Sequence, residues 1–97
     1  MLTPRQKQYL RGLAHPLAPL IRVGKGGVSA AVIAETEKTF RSHELIKVRI
    51  DGDEASGRKV LAESLATATA AQIAGVIGKT VILYRANVEK PVIKLPA

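Results

Sequence analysis

Residues 19–29 have the sequence PLIRVGKGGVS, which places a short apolar strand, a glycine-rich loop and a helix start in immediate succession. Pro19 has no backbone N–H and therefore suits the beginning or the edge of a strand. Ser29 is a favourable N-cap for a helix that we expect to extend to about Arg41. The stretch predicts a strand and a helix joined only by a loop that contains three glycines.

Before this stretch, the sequence predicts a helix from Pro4 to Ala14. Thr3 is a suitable N-cap, proline is favoured at the first helical position, and Gln6 can complete a capping box. Pro16 should end the helix, because the residue before a proline, His15, is disfavoured in helical angles. The apolar stripe of this helix is expected at Tyr9, Leu10 and Leu13.

After it, the sequence ELIKVRID at residues 44–51 alternates between apolar and basic positions. Such alternation predicts a strand with one buried and one solvated face. The buried face would carry Ile46, Val48 and Ile50, whereas Leu45, Lys47 and Arg49 would lie on the other, mostly solvated and basic face. A turn at DGDE then leads to a third helix, for which Asp53 or Ser56 is the expected cap and Val60, Leu61, Leu65 and Ala68 the apolar positions.

The sequence IAGVIGKTVILYR predicts a β-hairpin closed by Gly78 and Lys79 in a type II′ turn. Its second strand, residues 81–84, is apolar throughout, as in a central strand. PVIKLP, at residues 91–96, is expected to form a short edge segment. The predicted fold class is therefore α/β: a single compact domain over residues 1–97, in the order α-β-α-β-α-β-β, with one mixed four-stranded sheet.

The composition favours a polyanionic partner. Lys and Arg number 15 against 8 Asp and Glu, which gives a net charge of +7. Such a charge fits RNA, DNA or an anionic membrane surface, although a basic surface also serves solubility alone. Because the chain has no cysteine, disulfide scaffolds, zinc fingers and thiol catalysis are excluded. Neither a signal peptide nor a membrane-spanning apolar run is present, so we expect a cytoplasmic protein without a membrane partner.

The loop Gly24-Lys25-Gly26-Gly27 matches the pattern GxxG. Glycines allow the backbone to approach a phosphate closely, and the following helix supplies free N–H groups and the positive end of its dipole. A phosphate clamp of the type found in KH domains would use the backbone N–H groups of Gly26, Gly27 and Val28. An ordinary turn is the alternative interpretation, because GxxG alone is a weak signal.

Further basic residues can extend such a contact. Arg22 precedes the loop, Lys47 and Arg49 share one strand face, and Lys7 and Arg11 lie one helical turn apart. For each of them, a solvated surface position is the alternative. Phe40 and Tyr84 have core-like sequence contexts, which disfavours a base-stacking platform and favours recognition of the nucleic-acid backbone.

No catalytic or metal site is indicated. The sequence GVIGKT resembles a P-loop, but the glycine that a Walker A motif needs five residues before Gly78 is replaced by Ile73. No nucleophile–base–acid set is visible, and the acidic residues at positions 51–54 are explained by a turn and a helix cap. The sequence therefore predicts a protein that is not an enzyme and has no cofactor.

Three blocks together identify a family resemblance: KQYLRGLAHPLAPLIRVGKGGVS, SHELIKVRI and VIGKTVILYR. They resemble, in content and order, the YhbY-type CRM domain (chloroplast RNA splicing and ribosome maturation) over about residues 3–96. The resemblance implies an RNA-binding domain similar in fold to the C-terminal domain of bacterial translation initiation factor three. In one respect the chain differs from the family: its alanine-rich third helix lacks the glycine expected near its end.

Stand-alone bacterial members of this family associate with precursors of the large ribosomal subunit. The resemblance therefore implies a monomeric protein whose partner is large-subunit ribosomal RNA or its precursor, with ribosomal proteins as further partners. The alternative is a module that docks on a ribosomal protein or assembly factor. The expected RNA-binding residues are Arg22, Gly24, Lys25, Gly26, Gly27, Val28, Ser29, Lys7, Arg11, Lys47 and Arg49.

Overall fold

A computed structural model describes all 97 residues, and its elements follow the predicted order α-β-α-β-α-β-β. The three helices are α1 (Pro4–Ala14), α2 (Ala30–Phe40) and α3 (Ala55–Ala68). The four strands are β1 (Ile21–Val23), β2 (Leu45–Ile50), β3 (Gln72–Ile77) and β4 (Thr80–Tyr84).

The strands form one mixed sheet in the order β1-β2-β4-β3, which confirms the predicted architecture. β1 and β2 are parallel, because α2 connects them as a crossover, whereas β4 is antiparallel to both β2 and β3. The β3–β4 hairpin closes through two residues, and Gly78 has a φ of 58°, as the first central position of a type II′ turn requires.

Helices cover both faces of the sheet, and a separate apolar cluster lies on each face. The large core lies between the sheet and helices α2 and α3, and it includes the predicted inward residues Ile46, Val48 and Ile50. The small core lies between the sheet and α1. Its members are Leu2, Leu10, Ala14, Leu45, Ala74, Ile82 and Tyr84. The β2 face expected to be mostly solvated is therefore covered by α1 at Leu45. Because β4 contributes to both cores, all four residues of its apolar run are buried, as predicted for a central strand.

Helix α1 begins at the predicted residue, but the residues that pack against the sheet differ from those predicted. Its capping box is complete: the Gln6 N–H donates to Thr3 Oγ1 at 3.1 Å, and the Thr3 N–H donates to Gln6 Oε1 at 3.0 Å. The contact with the sheet is made by Leu10 and Ala14, both fully buried. The expected stripe is therefore wrong at Tyr9 and Leu13, which are 42% and 39% exposed, because only the row spaced by four residues faces the sheet.

The backbone angles predicted for His15, at the end of α1, are also wrong. His15 keeps helical angles, with φ −48° and ψ −48°. Its N–H donates to the Gly12 carbonyl, and the N–H of Leu17 donates to the Ala14 carbonyl at 2.9 Å. The chain thus continues as a tight turn past Pro16, and these local hydrogen bonds outweigh the preference of a pre-proline residue for extended angles.

Helix α3 is not capped by Asp53 or Ser56. Glu54 occupies the N-cap position and its side chain makes no capping hydrogen bond. The apolar face is narrower than expected, because Val60 is 64% exposed, and small alanines such as Ala62 and Ala66 supply much of the packing. An alanine-rich face lets the helix approach the sheet closely, which the expected pattern of larger residues did not indicate.

The end of α3 explains how the chain manages without the expected glycine. Ala70 adopts φ 55°, and it is the only non-glycine residue with a positive φ. The N–H of Ala71 donates to the Ala66 carbonyl at 2.9 Å, and the N–H of Ala70 donates to the Thr67 carbonyl at 3.3 Å. This is the Schellman pattern, in which the left-handed position is normally a glycine.

The segment 91–96 is not an edge strand, which corrects the prediction. The chain after β4 is instead held by the buried carboxylate of Glu44. Its Oε2 accepts the N–H of Asn87 at 2.6 Å, and its Oε1 accepts those of Val92 and Ile93 at 2.8 and 2.7 Å. Ile93 and Leu95 then pack against the small core. These N–H groups bond to a side chain, so they are not available to a sheet ladder.

We expect Ala70→Gly to raise the free energy of unfolding by about 0.5–1 kcal/mol. Glycine removes the strain of the left-handed conformation, and the greater entropy of glycine in the unfolded chain offsets part of this stabilisation. Thermal denaturation should show a midpoint higher by roughly 3–6 °C. The control is Ala34→Gly at an exposed position inside α2, which should lower stability by about 1 kcal/mol. A lower midpoint for the Ala70 variant would contradict the conformation assigned to this residue.

We expect Glu44→Gln to lower the free energy of unfolding at pH 7 by about 1–3 kcal/mol, since one acceptor oxygen is replaced by a donor. Burial opposes ionisation of Glu44, but the N–H donors of Asn87, Ile93 and Val92 favour the carboxylate, so its pKa lies below the ordinary 4.5. A lowered pKa contributes stability above that ordinary value, and the contribution is lost as the pH falls through the folded-state pKa.

Urea denaturation of the two proteins at several pH values tests this expectation. The stability difference should be full above pH 4.5 and should shrink at lower pH. Glu89→Gln, at an exposed glutamate of the same segment, should show no such difference. A constant difference across the acid range would mean that the carboxylate charge has no part in holding the C-terminal segment.

Candidate nucleic-acid interface

Three loops meet at one end of the sheet, where β1 and β2 end and β4 begins. The carbonyl of Val23, at the end of β1, accepts the N–H of Asp51 at 2.9 Å. The carbonyl of Lys79, in the hairpin turn, accepts the N–H of Ile50 at 2.7 Å. These bonds hold the glycine loop (residues 24–27), the turn after β2 and the hairpin turn side by side.

The glycine loop forms a defined turn. The N–H of Gly27 donates to the Gly24 carbonyl at 3.0 Å, and the N–H of Ser29 donates to the Gly27 carbonyl at 3.0 Å. Gly27 has φ 68°, and a Cβ at this position would lie 3.7 Å from Leu61 Cδ2 on α3. A Cβ at Gly24 or Gly26 would meet no atom within 4 Å. Gly27 is therefore needed for the backbone conformation, whereas the other two glycines leave open space.

The start of α2 leaves several backbone donors unused. Ser29 caps the helix as predicted, and its Oγ accepts the Val32 N–H at 3.2 Å. Six backbone N–H groups in and after the loop have no acceptor within the protein. They belong to Gly24, Lys25, Gly26, Val28, Ala30 and Ala31. With the positive end of the helix dipole and the exposed ammonium of Lys25, they form a site suited to an anion.

This arrangement alters one part of the expected clamp. The Gly27 N–H, expected to contact a phosphate, is already bonded to Gly24 and is not free. The N–H groups of Gly26 and Val28 are free, as the expectation requires.

An arginine pair lies beside the loop on the sheet face that α1 packs against. Arg22 and Arg49 are neighbours in the β1–β2 register, and Asp51 bridges them. Arg22 Nε lies 2.9 Å from Asp51 Oδ2, and Arg49 Nε lies 3.5 Å from Oδ1. The hydrogen bond from Arg22, with the charges of both guanidiniums, holds the pKa of Asp51 below its ordinary 3.8. The arginine side chains remain 70% and 50% exposed, so their outer nitrogens can still bind an anion.

Lys47 continues this row on the same face of β2, two residues before Arg49. Its ammonium donates to the carbonyl of His15 at 3.3 Å, at the end of α1. The structure therefore brings Arg22, Arg49 and Lys47 into one row that begins at the glycine loop.

Lys7 and Arg11 do not join this row. Arg11 Nη1 donates to the Ala74 carbonyl of β3 at 3.2 Å, and Lys7 lies beside Gln72 at the outer edge of β3. β3 is the edge strand opposite β1, about 14 Å away across three strand spacings. The two residues are thus separated from the glycine loop by the width of the sheet.

Sequence reasoning missed three basic residues near this end of the molecule. Arg58 and Lys59 lie in the first turns of α3, and Lys79 lies in the hairpin turn. The three line one groove. No motif in the sequence connects them, because they come together only when α3 packs across the hairpin.

The structure therefore belongs to the class of small mixed α/β domains that carry a cationic glycine loop at the end of the sheet. The model of the CRS1/YhbY (CRM) domain matches residues 2–85. The chain belongs to this family.

Two relatives and one solved structure match over nearly their whole length. The probable RNA-binding protein YqeI of Bacillus subtilis is 38% identical over 96 residues, covering 99% of this chain and 100% of the relative. A Haemophilus influenzae protein named as an RNA-binding protein is 37% identical, covering 98% and 95% of the two chains. The solution structure of a Staphylococcus aureus protein has a TM-score of 0.88 at 41% identity and covers 99% and 100%.

The family and relative names describe RNA-binding proteins and not enzymes. None of the helices is both long and apolar enough to span a bilayer.

We expect Gly27→Ala to lower the free energy of unfolding by about 1–2 kcal/mol, because an L-residue at φ 68° is strained. Gly26→Ala should change stability by less than about 0.5 kcal/mol, since its Cβ would point into open space. Thermal denaturation of both variants makes the comparison. Equal effects would contradict the different roles assigned to the two glycines.

Proposed function

We propose that this protein binds precursor RNA of the large ribosomal subunit during its assembly, and that the glycine loop holds the RNA backbone. The observation that carries the RNA contact is the set of six unpaired N–H groups in and after the loop, next to the Lys25 ammonium. Backbone donors bind phosphate without reading sequence, so this loop fixes the position of a strand and leaves base selection to other contacts.

In the proposed complex, one phosphate lies against the N–H groups of Gly26 and Val28 and the start of α2. Gly27 supplies the left-handed turn that exposes these donors. Neighbouring phosphates pair with the outer nitrogens of Arg22 and Arg49, which Asp51 bridges through their Nε atoms. The binding involves no chemical step on the RNA.

The ribosomal part of the proposal rests on the resemblance of the chain to single-domain bacterial members of the family. Relatives that match over 95–100% of their own length are themselves single chains of this size. We propose that residues 1–97 act as one RNA-binding unit, because the segment after residue 85 packs on the small core.

A second candidate function is docking on a ribosomal protein or assembly factor. It is favoured by two exposed leucines at the end of α1, Leu13 and Leu17, which are 39% and 41% exposed and line one groove. Apolar side chains exposed together are typical of protein contacts. Association with ribosomal particles that persists after ribonuclease treatment and in high salt would favour this candidate.

The loop is tested by the double variant Lys25→Asp/Gly26→Asp, which we expect to weaken single-stranded RNA binding at least tenfold. It places two carboxylates where phosphates would lie, at exposed positions that tolerate a side chain. The matched control is Lys90→Asp/Val88→Asp, which makes the same charge change at two exposed positions of the C-terminal segment. Fluorescence anisotropy at fixed salt measures both. Equal losses would remove the loop as the contact site.

The ribosomal assignment is tested by sedimenting a native extract at low magnesium. The protein should migrate with large-subunit precursors, and ribonuclease should release it. The loop variant should remain at the top of the gradient. If the unmodified protein also remains there, it does not act on ribosomal particles, whatever its affinity for RNA.

A further inference from the structure

A groove runs between the start of α3 and the β3–β4 hairpin, on the sheet face opposite the arginine pair. It encloses about 310 Å³, at the lower end of the range for small-molecule sites. Its floor is aliphatic, formed by Ile50, Ile73, Val76 and Val81. Ile50 and Val81 also belong to the buried large core, whereas Val76, on the edge strand β3, is 57% exposed.

The rim of the groove is mainly cationic. Arg58 and Lys59 line it from α3, and Lys79 lines it from the hairpin turn, against a single acidic residue, Glu63. The sequence GKT at residues 78–80, which cannot form a P-loop, therefore lies at the edge of a cavity. An aliphatic floor with a cationic rim is complementary to a flat, weakly polar group attached to phosphates.

Arg58 adds an unused donor. Its Nη1 donates to the Gly52 carbonyl at 2.7 Å, but its Nε–H is buried and has no partner. Buried donors without a partner are rare in folded proteins, because desolvation is then uncompensated. An acceptor that enters the groove and turns the guanidinium would satisfy this group.

The groove lies close to the glycine loop. Gly27 faces Leu61 on α3, one helical turn after the groove-lining Arg58. β1, which leads into the loop, and β4, which follows the hairpin turn, are separated only by β2, hence by about 10 Å. A single strand lying on the loop can therefore reach over the start of α3 into the groove.

We propose that the groove holds an unpaired base of the same RNA strand, with the adjoining phosphates paired to Lys59 and Lys79. This inference rests on the proposed function of the glycine loop. It also fits the positions of the three aromatic residues: Phe40 and Tyr84 are buried, and the exposed Tyr9 lies on α1, over the other face of the sheet, so a base in this groove contacts aliphatic side chains. Recognition of unstacked bases is the usual way in which proteins select single-stranded RNA.

The first test is the double variant Lys59→Gln/Lys79→Gln. Loss of two phosphate contacts should weaken binding of a single-stranded oligonucleotide about tenfold near 0.1 M salt and reduce the log–log salt slope by about 1.4. The control is Lys38→Gln/Lys90→Gln, which removes the same charge from exposed positions at the other end of the molecule. Thermal denaturation confirms that both variants fold.

The second test locates the base. An oligonucleotide carrying 4-thiouridine at each position in turn is photocrosslinked to the unmodified protein, and crosslinked peptides are mapped by mass spectrometry. One position should crosslink to residues 73–81 or 55–63. Replacing that nucleotide by an abasic one should weaken binding several-fold, while abasic substitution at neighbouring positions should have less effect.

The outcomes separate this inference from the function on which it rests. Crosslinks confined to residues 22–31, with unchanged binding by the Lys59/Lys79 variant, would overturn the base site and leave the glycine loop in place. The groove would then be free for another occupant, such as an acidic protein segment. Absence of any RNA binding by the unmodified protein would overturn both proposals.

Discussion

The parallel pairing of β1 with β2 is the constraint on which the placement of the candidate interface depends. Two parallel strands cannot be joined by a tight turn, so α2 must cross over the sheet between them. The carboxyl ends of β1 and β2 then lie at one end of the sheet, and β4, which is antiparallel to β2, begins at the same end. The glycine loop, the turn after β2 and the hairpin turn are neighbours for this reason alone. A strand of three residues thus assembles the candidate interface.

Local signals predicted the elements well, because each depends on residues close in sequence. The capping box at Thr3 and Gln6, the alternation in β2 and the glycine of the hairpin turn each satisfy a requirement within a few residues. Local signals also failed at the α1 stripe, at His15 and at the cap of α3, but two further failures have a different origin. Helix α3 ends through a left-handed alanine that its own sequence does not signal, and residues 91–96 are held by the carboxylate of Glu44 some 48 residues earlier. A bond over that separation has no pattern in the sequence.

The residues of the candidate site also divide into those that local sequence could predict and those that depend on contacts between distant segments. Residues 22–29 are contiguous, and the sequence was sufficient to propose them as a unit. Arg49 and Lys47 join them through strand register, which alternation and the choice of neighbouring strand together determine. Lys7 and Arg11 share a helix face but lie across the sheet from the loop, because α1 packs over β3. The groove residues could not be found at all, since a helix and a hairpin distant in sequence supply them.

The C-terminal segment shows that a family boundary and a folding boundary are different things. The family model ends at residue 85, yet Ile93 and Leu95 cover the small core, and the Pro96 carbonyl accepts a hydrogen bond from Gln6 of α1 at 3.0 Å. The two ends of the chain are thereby fastened to each other over the same apolar cluster. The family model leaves out the last twelve residues, although relatives align over 98–99% of the chain, and a chain cut at residue 85 would lose the cover of the small core.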